Sequence, residues 1–247
     1  MQTDVFFTFS NISIRLQLHP MVWAPTSFAQ NMALHLAKVI KPGDQVLELG
    51  LGSGVLAILA AKLGAKQVTG LDVNPQAIAS ATDNWHNNGL DTSKADFRCS
   101  DFLQALGPAD YGRFDLIFCN PPVLPEFNGC NQERNSRDDF EISGRDGRRV
   151  LDTILSQSAP YLKPDGHLLT IATSLQGWRE TEVMLNTHWH QWENRQTITL
   201  ELTDECTQPY IDYWQQRERE DGQQRFYLQD GLQLHEVRFL CAWHPRI

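Results

Sequence analysis

The sequence predicts an α/β protein with a doubly wound, mostly parallel sheet, and three observations support this prediction. Short apolar segments alternate with longer segments in which apolar residues recur every three or four positions, the pattern of strands that alternate with helices. A glycine-rich turn stands between one such strand and the helix after it. The segment Phe114–Cys119 is almost wholly apolar, as strands covered on both faces are.

The elements alternate after an initial hairpin. The predicted strands are 5–9, 12–18, 46–49, 67–72, 95–99, 114–119, 167–172, 196–202 and 237–243. The predicted helices are 27–40, 55–63, 75–85, 147–160 and 178–188. Ser10 and Asn11 are typical of the hairpin turn, and Thr26 or Ser27 is a suitable N-cap for the first helix. Residues 163–166 (Lys-Pro-Asp-Gly) predict a turn into the strand after them.

The sequence predicts one domain with two additions. Residues 1–25 are expected to form an N-terminal hairpin extension of a domain that spans residues 26–247. Residues 204–235 are polar and carry charges of both signs in mixed order, so we interpret them as an insertion in that domain. The sequence contains no internal repeat, low-complexity tract or linker that would divide the domain.

Charge and cysteine content argue against several classes of function. The 247 residues include 21 Lys and Arg against 30 Asp and Glu, a formal net charge of −9. A protein this acidic repels phosphate backbones, so we do not expect stable binding to nucleic acid. The five cysteines form no C-x-x-C pair, and the histidines show no ligand spacing. Neither a disulfide framework nor a metal site is therefore predicted.

The same composition favours a cytoplasmic protein without membrane contact. Residues 1–18 lack the basic and apolar regions of a signal peptide. No uninterrupted apolar stretch reaches the roughly 18 residues that a membrane helix needs. Unpaired cysteines fit a reducing compartment. The oligomeric state stays open.

The glycine turn Glu48–Gly54 reads Glu-Leu-Gly-Leu-Gly-Ser-Gly. Gly50 permits a tight turn, and Gly52 lets a ligand approach the backbone where a Cβ would collide. The turn aims main-chain N–H groups at the start of the next helix, a place suited to an anion. Its third glycine, Gly54, comes one position too early for a dinucleotide fingerprint, because Val55 stands where that pattern needs Gly or Ala. No Walker lysine follows either.

Asp72 stands at the end of the strand after the glycine turn. In that place a carboxylate can accept hydrogen bonds from both hydroxyls of a ribose. The alternative is an aspartate that merely caps a helix. Asn74 and Pro75 already supply a good N-cap and first-turn pair, and we therefore favour the ribose interpretation.

These residues resemble the motifs of the class I S-adenosylmethionine-dependent methyltransferases. The match extends over about residues 20–175 in family order and consists of the glycine turn, Asp72, Ser100-Asp101-Phe102 and Asn120-Pro121-Pro122. The resemblance implies a seven-stranded, Rossmann-like methyltransferase fold that binds S-adenosylmethionine. It also implies the cofactor-binding residues Glu48, Gly50, Gly52, Gly54, Asp72, Val73, Asp101, Phe102 and Asn120.

The resemblance assigns each motif a part of the cofactor. The glycine turn holds the methionine part, Asp72 the ribose, and Asp101 with Phe102 the adenine. For Asp101 an N-cap of a short helix is an equally good interpretation, and it stays open.

Asn120, Pro121 and Pro122 are the candidate catalytic residues. Asn120 ends a central strand, where doubly wound sheets bind ligands. Two prolines remove two N–H donors, so the Asn120 side-chain oxygen and the Pro121 carbonyl are acceptors that fit a planar –NH2 group. Methyl transfer from a sulfonium moves positive charge onto the attacking nitrogen, and fixed acceptors stabilise that transition state. The alternative is a rigid turn without catalytic role.

Asn-Pro-Pro resembles the motif of a subgroup of methyltransferases that act on amide or exocyclic amino nitrogens. This subgroup includes the release-factor glutamine methyltransferases and the adenine-N6 and guanine-N2 enzymes. Residues 143–150 and 25–28 also resemble segments of the release-factor type. Val123 stands where the subgroup has Tyr or Phe, and the loss of that ring counts against a nucleobase. The sequence therefore predicts methyl transfer to nitrogen of a protein glutamine or a small amide or amine.

Other functions stay open beside this one. They are an RNA or DNA amino-group methyltransferase, a small-molecule methyltransferase acting on another heteroatom or carbon, and a non-catalytic binding module. On the substrate side, we expect contributions from Val123, Thr26, Phe28, Glu126 and Arg145. The charged loop 123–146 is long for a compact fold; we hypothesise that it closes over the substrate, the alternative being a solvated loop.

Overall fold

The computed structural model describes residues 4–127, 142–202, 206 and 208–246. The described strands are β1 (Asp4–Phe9), β2 (Ile12–Gln17), β3 (Gln45–Leu49), β4 (Gln67–Asp72), β5 (Ala95–Cys99), β6 (Phe114–Cys119), β7 (Leu162–Thr173), β8 (Trp189–Glu201), β9 (Tyr227–Gln229) and β10 (Leu232–Pro245). The described helices are α1 (Ser27–Val39), α2 (Val55–Lys62), α3 (Pro75–Asn87), α4 (Arg149–Gln157), α5 (Trp178–His188) and α6 (Gln208–Asp221).

The chain forms two compact units. The first unit consists of residues 1–120 and 160–169, and the second of residues 121–159 and 170–247. The expected division into a hairpin extension, 1–25, and a domain, 26–247, stays a prediction.

The first unit contains the parallel strands that position the candidate site. Its strands lie in the order β5-β4-β3-β6-β7, and β3 pairs in parallel with both β4 and β6. Leu49 on β3 faces Leu71 on β4 and Cys119 on β6, so these three strands end at the same edge. Gly50, Asp72 and Asn120, the candidate residues, lie together along this edge.

The N-terminal hairpin belongs to the first unit. Strands β1 and β2 are antiparallel, with register Phe9↔Ile12 across the predicted turn, and Ser10 has a φ of +52° there. Strand β2 contacts α2 and α3. Because Ile14 and Leu16 are fully buried, the alternating pattern of β2 is explained by one face packed against the helices.

The second unit contains strands in the order β7-β10-β8, and β9 pairs with β10. Strand β7 is shared by the two units: its residues up to Leu169 belong to the first unit and the rest to the second. Helix α6 buries Tyr210, Ile211 and Trp214 in a cluster with Leu124. The cluster packs α6 against the segment that directly follows Asn-Pro-Pro in the sequence.

The predicted α/β class with a mostly parallel sheet and an N-terminal antiparallel hairpin is confirmed. Most predicted elements recur within two or three residues, and α5 has the predicted bounds. No helix among the described residues combines the length and the apolarity that crossing a bilayer requires.

Three local predictions were wrong, each for a tertiary reason. The predicted turn 163–166 lies inside β7, where an added Cβ on Gly166 would lie 2.9 Å from the carbonyl oxygen of Phe114. Strand β8 begins earlier than predicted because β10 pairs with it from Trp189 onwards. Helix α6 was missed in a polar segment, although its buried residues Tyr210, Ile211 and Trp214 have helical spacing.

Candidate functional site

The glycine turn follows β3 directly and bonds to the end of β4. The N–H groups of Gly50 and Leu51 both donate to the carbonyl of Leu71, at 2.9 and 3.1 Å. Gly50, Gly52 and Gly54 have φ values of +78°, +52° and +78°. Residues with a Cβ adopt this left-handed region only with strain, so the turn requires glycine at all three positions.

The three glycines differ in the space around them. A Cβ on Gly54 would lie 2.8 Å from the Cβ of Ala81 on α3, so this glycine lets α3 pack closely against the turn. A Cβ on Gly50 or Gly52 would meet nothing within 4 Å. The turn therefore presents bare backbone to open space at these two positions, as a ligand bound against the main chain requires.

Asp72 is tied to the glycine turn by its carboxylate. One oxygen accepts the N–H of Gly52 at 2.8 Å, and the other accepts the N–H of Asn74 at 2.9 Å. Burial raises the pKa of Asp72, and these two N–H groups oppose the shift. Since each carboxylate oxygen has a second lone pair, Asp72 can still accept hydrogen bonds from a ligand. The Asn74 side chain, not Asp72, caps α3 by accepting the N–H of Gln76.

Glu48 is a buried carboxyl group beside Asp72. Its residue is 4% exposed, and its Oε2 has no hydrogen-bond partner in the part of the chain that the structure describes. Burial and the negative charge of Asp72 raise the pKa of Glu48 well above its usual range, against the effect of the Ala57 N–H. A buried acceptor without a partner is a candidate contact for a cationic ligand group.

We expect Glu48→Gln to flatten the pH dependence of stability. A carboxyl group whose pKa is raised by folding contributes fully to the stability of the folded state when the pH is below its ordinary pKa of 4.5. This contribution is lost as the pH rises through the raised pKa of the folded state. The free energy of unfolding of the wild type should therefore fall by up to about 1.4 kcal/mol per pH unit in that window. Urea unfolding at several pH values measures the difference. Parallel curves for the two proteins would contradict the shift.

Asp101, Phe102 and Val73 lie after the ends of β5 and β4. Val73 is 50% exposed, which leaves an apolar surface next to Asp72. Phe102 has a φ of +50°, in the left-handed region that residues with a Cβ adopt only with strain. Within the described part of the chain, the Asp101 carboxylate accepts a hydrogen bond only from the Gln104 side chain, at 3.4 Å. The structure thus gives no support to the interpretation of Asp101 as a helix cap.

Asn120 follows β6 as Gly50 follows β3, and the register of these parallel strands places them side by side. The Asn120 residue is exposed, and its side chain makes no hydrogen bond within the described residues. A free amide side chain at the carboxyl end of a central strand can bind a ligand without first breaking an internal contact. The thiol of Cys119, just before it, is buried, and burial with the charges of Glu48 and Asp72 raises its pKa, so it is no nucleophile.

The substrate-side candidates fall in both units. In the first unit, Thr26 is the exposed N-cap of α1, without a side-chain cap bond, and Phe28 is half-buried in the first turn. In the second unit, Val123 is half-buried. The N–H of Glu126 donates to the Gly144 carbonyl at 2.8 Å. The candidate Arg145 follows Gly144, so Glu126 and Arg145 lie on neighbouring segments. Residues 128–141 of the hypothesised lid lie outside the described residues.

Sequence reasoning missed the aromatic residues that surround this segment. Phe127 stacks on Tyr213 with ring centroids 4.9 Å apart and planes at 9°, and it meets Tyr210 edge-on at 5.1 Å. The Tyr213 hydroxyl donates to the carbonyl of Arg145 at 2.9 Å. Aromatic side chains thus stand near Val123, although the sequence lacks the ring at that position. The helical spacing of α6 was the available signal.

Comparison with known proteins gives consistent matches. The family described as ribosomal protein L11 methyltransferase (PrmA) matches residues 30–124. A protein of Methanocaldococcus jannaschii that is named a protein N5-glutamine methyltransferase is 35% identical over 170 residues, 68% of this chain and 80% of that relative. A release factor glutamine methyltransferase of Deinococcus radiodurans is 32% identical over 170 residues, 62% of this chain and 58% of that protein.

Among solved structures, the Thermus thermophilus 16S rRNA N2 G1207 methyltransferase, in complex with AdoMet and guanosine, has a TM-score of 0.57 at 18% identity. The likeness covers 98% of this chain and 50% of that one. At this identity it shows the fold alone. The matched part also spans only about half of some curated relatives, 45% in the ribosomal protein L11 methyltransferase of Thermosipho africanus.

Proposed function

This chain belongs to the class I S-adenosylmethionine-dependent methyltransferases, and we propose that its methyl acceptor is the side-chain amide nitrogen of a protein glutamine. The observation that carries the proposal is the register of β3 and β6. It pairs Leu49 with Cys119, so that Asn120 and Gly50, the first residue of the glycine turn, each directly follow one of these paired strand ends. The relatives named glutamine methyltransferases support the choice of acceptor.

The residues of the first unit fit S-adenosylmethionine, which supplies the methyl group from its sulfonium. Gly50 and Gly52 offer bare backbone with open space to the methionine part. Glu48 offers an unpartnered buried oxygen to the ammonium group, and Asp72 offers acceptor lone pairs to the ribose hydroxyls. Val73 and Phe102, with Asp101, form the surface proposed for the adenine.

Asn120 and the carbonyl of the next residue, Pro121, are proposed to hold the acceptor. An amide –NH2 group has two N–H donors, and these two acceptors match them. The amide nitrogen is a weak nucleophile because its lone pair is delocalised into the carbonyl. Acceptors that polarise its N–H bonds would stabilise the positive charge that develops on the nitrogen as the sulfonium sulfur takes the electron pair of the methyl–sulfur bond. The nitrogen would then release one N–H proton to water and leave as the N-methyl amide. The orientation of the two acceptors fixes the direction of attack. The prolines contribute by rigidity and by removing competing donors.

A protein acceptor agrees with the chain's charge and with the residue after the prolines. The net charge of −9 disfavours a polyanionic substrate. Val123 provides less stacking surface than an aromatic residue would give a flat base. A glutamine side chain is short and flexible and needs no base-sized stacking platform.

The test is transfer of labelled methyl from S-adenosylmethionine into a fractionated lysate, followed by acid-free proteolysis and mass spectrometry. We expect label that is sensitive to protease and resistant to ribonuclease, and a peptide that carries N5-methylglutamine. The Asn120→Ala protein serves as the matched blank. Label found only in RNA, or only in small metabolites, would overturn the assignment of the acceptor.

A further inference from the structure

Asn84 on α3 bridges the glycine turn and the N-terminal hairpin. Its residue is fully buried, and its Nδ2 donates to the carbonyl of Ser53, between Gly52 and Gly54, at 2.9 Å. Its Oδ1 accepts the N–H of Gln17 on β2 at 2.7 Å, and Nδ2 also reaches the Gln17 carbonyl at 3.4 Å. One side chain thus holds two segments that are remote in sequence.

Asn88, one helical turn later, repeats only half of this arrangement. Its Oδ1 accepts the N–H of Arg15 at 3.1 Å, and its Nδ2 donates to the Arg15 carbonyl at 2.8 Å. Four residues of helix rise by about 6 Å and two residues of strand by about 6.8 Å, so the two amides match alternate residues of β2. Nδ2 of Asn88 also donates to the carbonyl of Asn84, and among the described residues no hydrogen bond joins Asn88 to the glycine turn.

Asn74 forms a second bridge from the hairpin segment to the candidate site. Its Nδ2 donates to the carbonyl of Met21 at 2.8 Å. Its N–H donates to Asp72 at 2.9 Å, while its Oδ1 caps α3 through the N–H of Gln76 at 3.0 Å. The chain after β2 is therefore anchored on the residue that also orients the Asp72 carboxylate.

We propose that the N-terminal hairpin is part of the cofactor-binding machinery, and that Asn84 is the positioning residue that couples hairpin docking to cofactor affinity. Gly52 and Gly54 have wide conformational freedom, which costs entropy when the turn is ordered. Fixing the Ser53 carbonyl between them orders the turn before the cofactor arrives. Since Asn84 is held in place by β2, the docked hairpin favours cofactor binding, and by reciprocity the bound cofactor favours the docked hairpin.

The matched pair Asn84→Ala and Asn88→Ala tests the coupling. Each variant loses the hydrogen bonds to one residue of β2, but only Asn84→Ala releases Ser53. By calorimetric titration with S-adenosylmethionine below the melting temperature, we expect Kd to rise about tenfold for Asn84→Ala, the worth of one buried hydrogen bond, and to stay near the wild-type value for Asn88→Ala. Equal changes in the two variants, or none, would overturn the proposal.

Hydrogen exchange gives a second readout that does not need the methyl acceptor. Adding S-adenosylmethionine to the wild type should slow amide exchange in the β2 peptide about tenfold, the same factor as the expected change in Kd, because the coupling is reciprocal. In Asn84→Ala this protection should be lost. If the cofactor leaves amide exchange in β2 of the wild type unchanged, the proposed coupling is wrong. Because cofactor binding is measured directly, a wrong assignment of the acceptor leaves these results unaffected.

Asn74→Ser keeps the proposal testable if Asn84→Ala does not fold. The serine hydroxyl is a neutral N-cap for α3 and the backbone N–H to Asp72 is kept, whereas the amide donor to the Met21 carbonyl is lost. We expect this variant to raise the Kd for S-adenosylmethionine at unchanged helix content in circular dichroism. An unchanged Kd would count against coupling through the hairpin segment.

Discussion

Asn120→Ala is expected to lower kcat by a factor of about 10²–10³, roughly 2–4 kcal/mol in the activation barrier, as for the loss of one preorganised polar group. The affinity for S-adenosylmethionine should stay unchanged, because the proposed contacts of Asn120 strengthen only as charge develops on the acceptor nitrogen. Stability should also change little, since the side chain is exposed and makes no hydrogen bond to any described residue. Single-turnover kinetics with labelled cofactor and calorimetry measure the two quantities.

Two variants serve as controls for Asn120→Ala. Asn120→Asp keeps an acceptor oxygen at the same place and should retain more activity than the alanine variant. Asn194→Ala removes an exposed amide on β8 that donates to the Thr197 hydroxyl, and this variant should have wild-type kcat. If Asn120→Ala is as active as Asn194→Ala, Asn120 takes no part in catalysis.

Asp72→Ala is expected to raise the Kd for S-adenosylmethionine by about 10²-fold, which corresponds to two hydrogen bonds to a charged acceptor at the lower end of their range. Two effects contribute to this loss. The ribose hydroxyls lose their acceptor, and the N–H groups of Gly52 and Asn74 lose the carboxylate that now orders them.

A cofactor analogue without the ribose hydroxyls separates the two effects. If Asp72 binds the ribose, the wild type and Asp72→Ala should differ much less for the dideoxy analogue of S-adenosylhomocysteine than for S-adenosylhomocysteine itself. The remaining difference measures the ordering of the glycine turn. An equal loss of affinity for both ligands would show that Asp72 only orders the turn, and the ribose assignment would then be wrong.

The coupling through Asn84 gives a reason for the position of the hairpin. Strand β2 buries Ile14 and Leu16, so the hairpin contributes to the core of the first unit by apolar burial. Polar contacts of β2 go to Asn84 in α3 and to Asn88 directly after it, and Asn84 also holds the glycine turn. The hairpin, which the sequence predicts to be an extension of the domain, is thus linked to the glycine turn through hydrogen bonds to the same asparagine, Asn84.

The sequence by itself determined what depends on neighbouring residues. The positive φ values of Gly50 and Gly52 require glycine, and the Asn74-Pro75 pair specifies the start of α3 through local contacts. Apolar periodicity likewise located most strands and helices, and the motifs in family order indicated the cofactor.

Only the tertiary structure decided what depends on partners far along the chain. Strand β8 is long because β10 pairs with it, and α6 is a helix because the second unit provides a cluster for its few apolar residues. The raised pKa of Glu48 follows from burial beside Asp72, and the role of Asn84 follows from contact with Gln17, 67 residues away. Such contacts leave at most a weak local signature, such as the helical spacing of the buried residues of α6, because their free energy arises only when distant segments exclude water and pair.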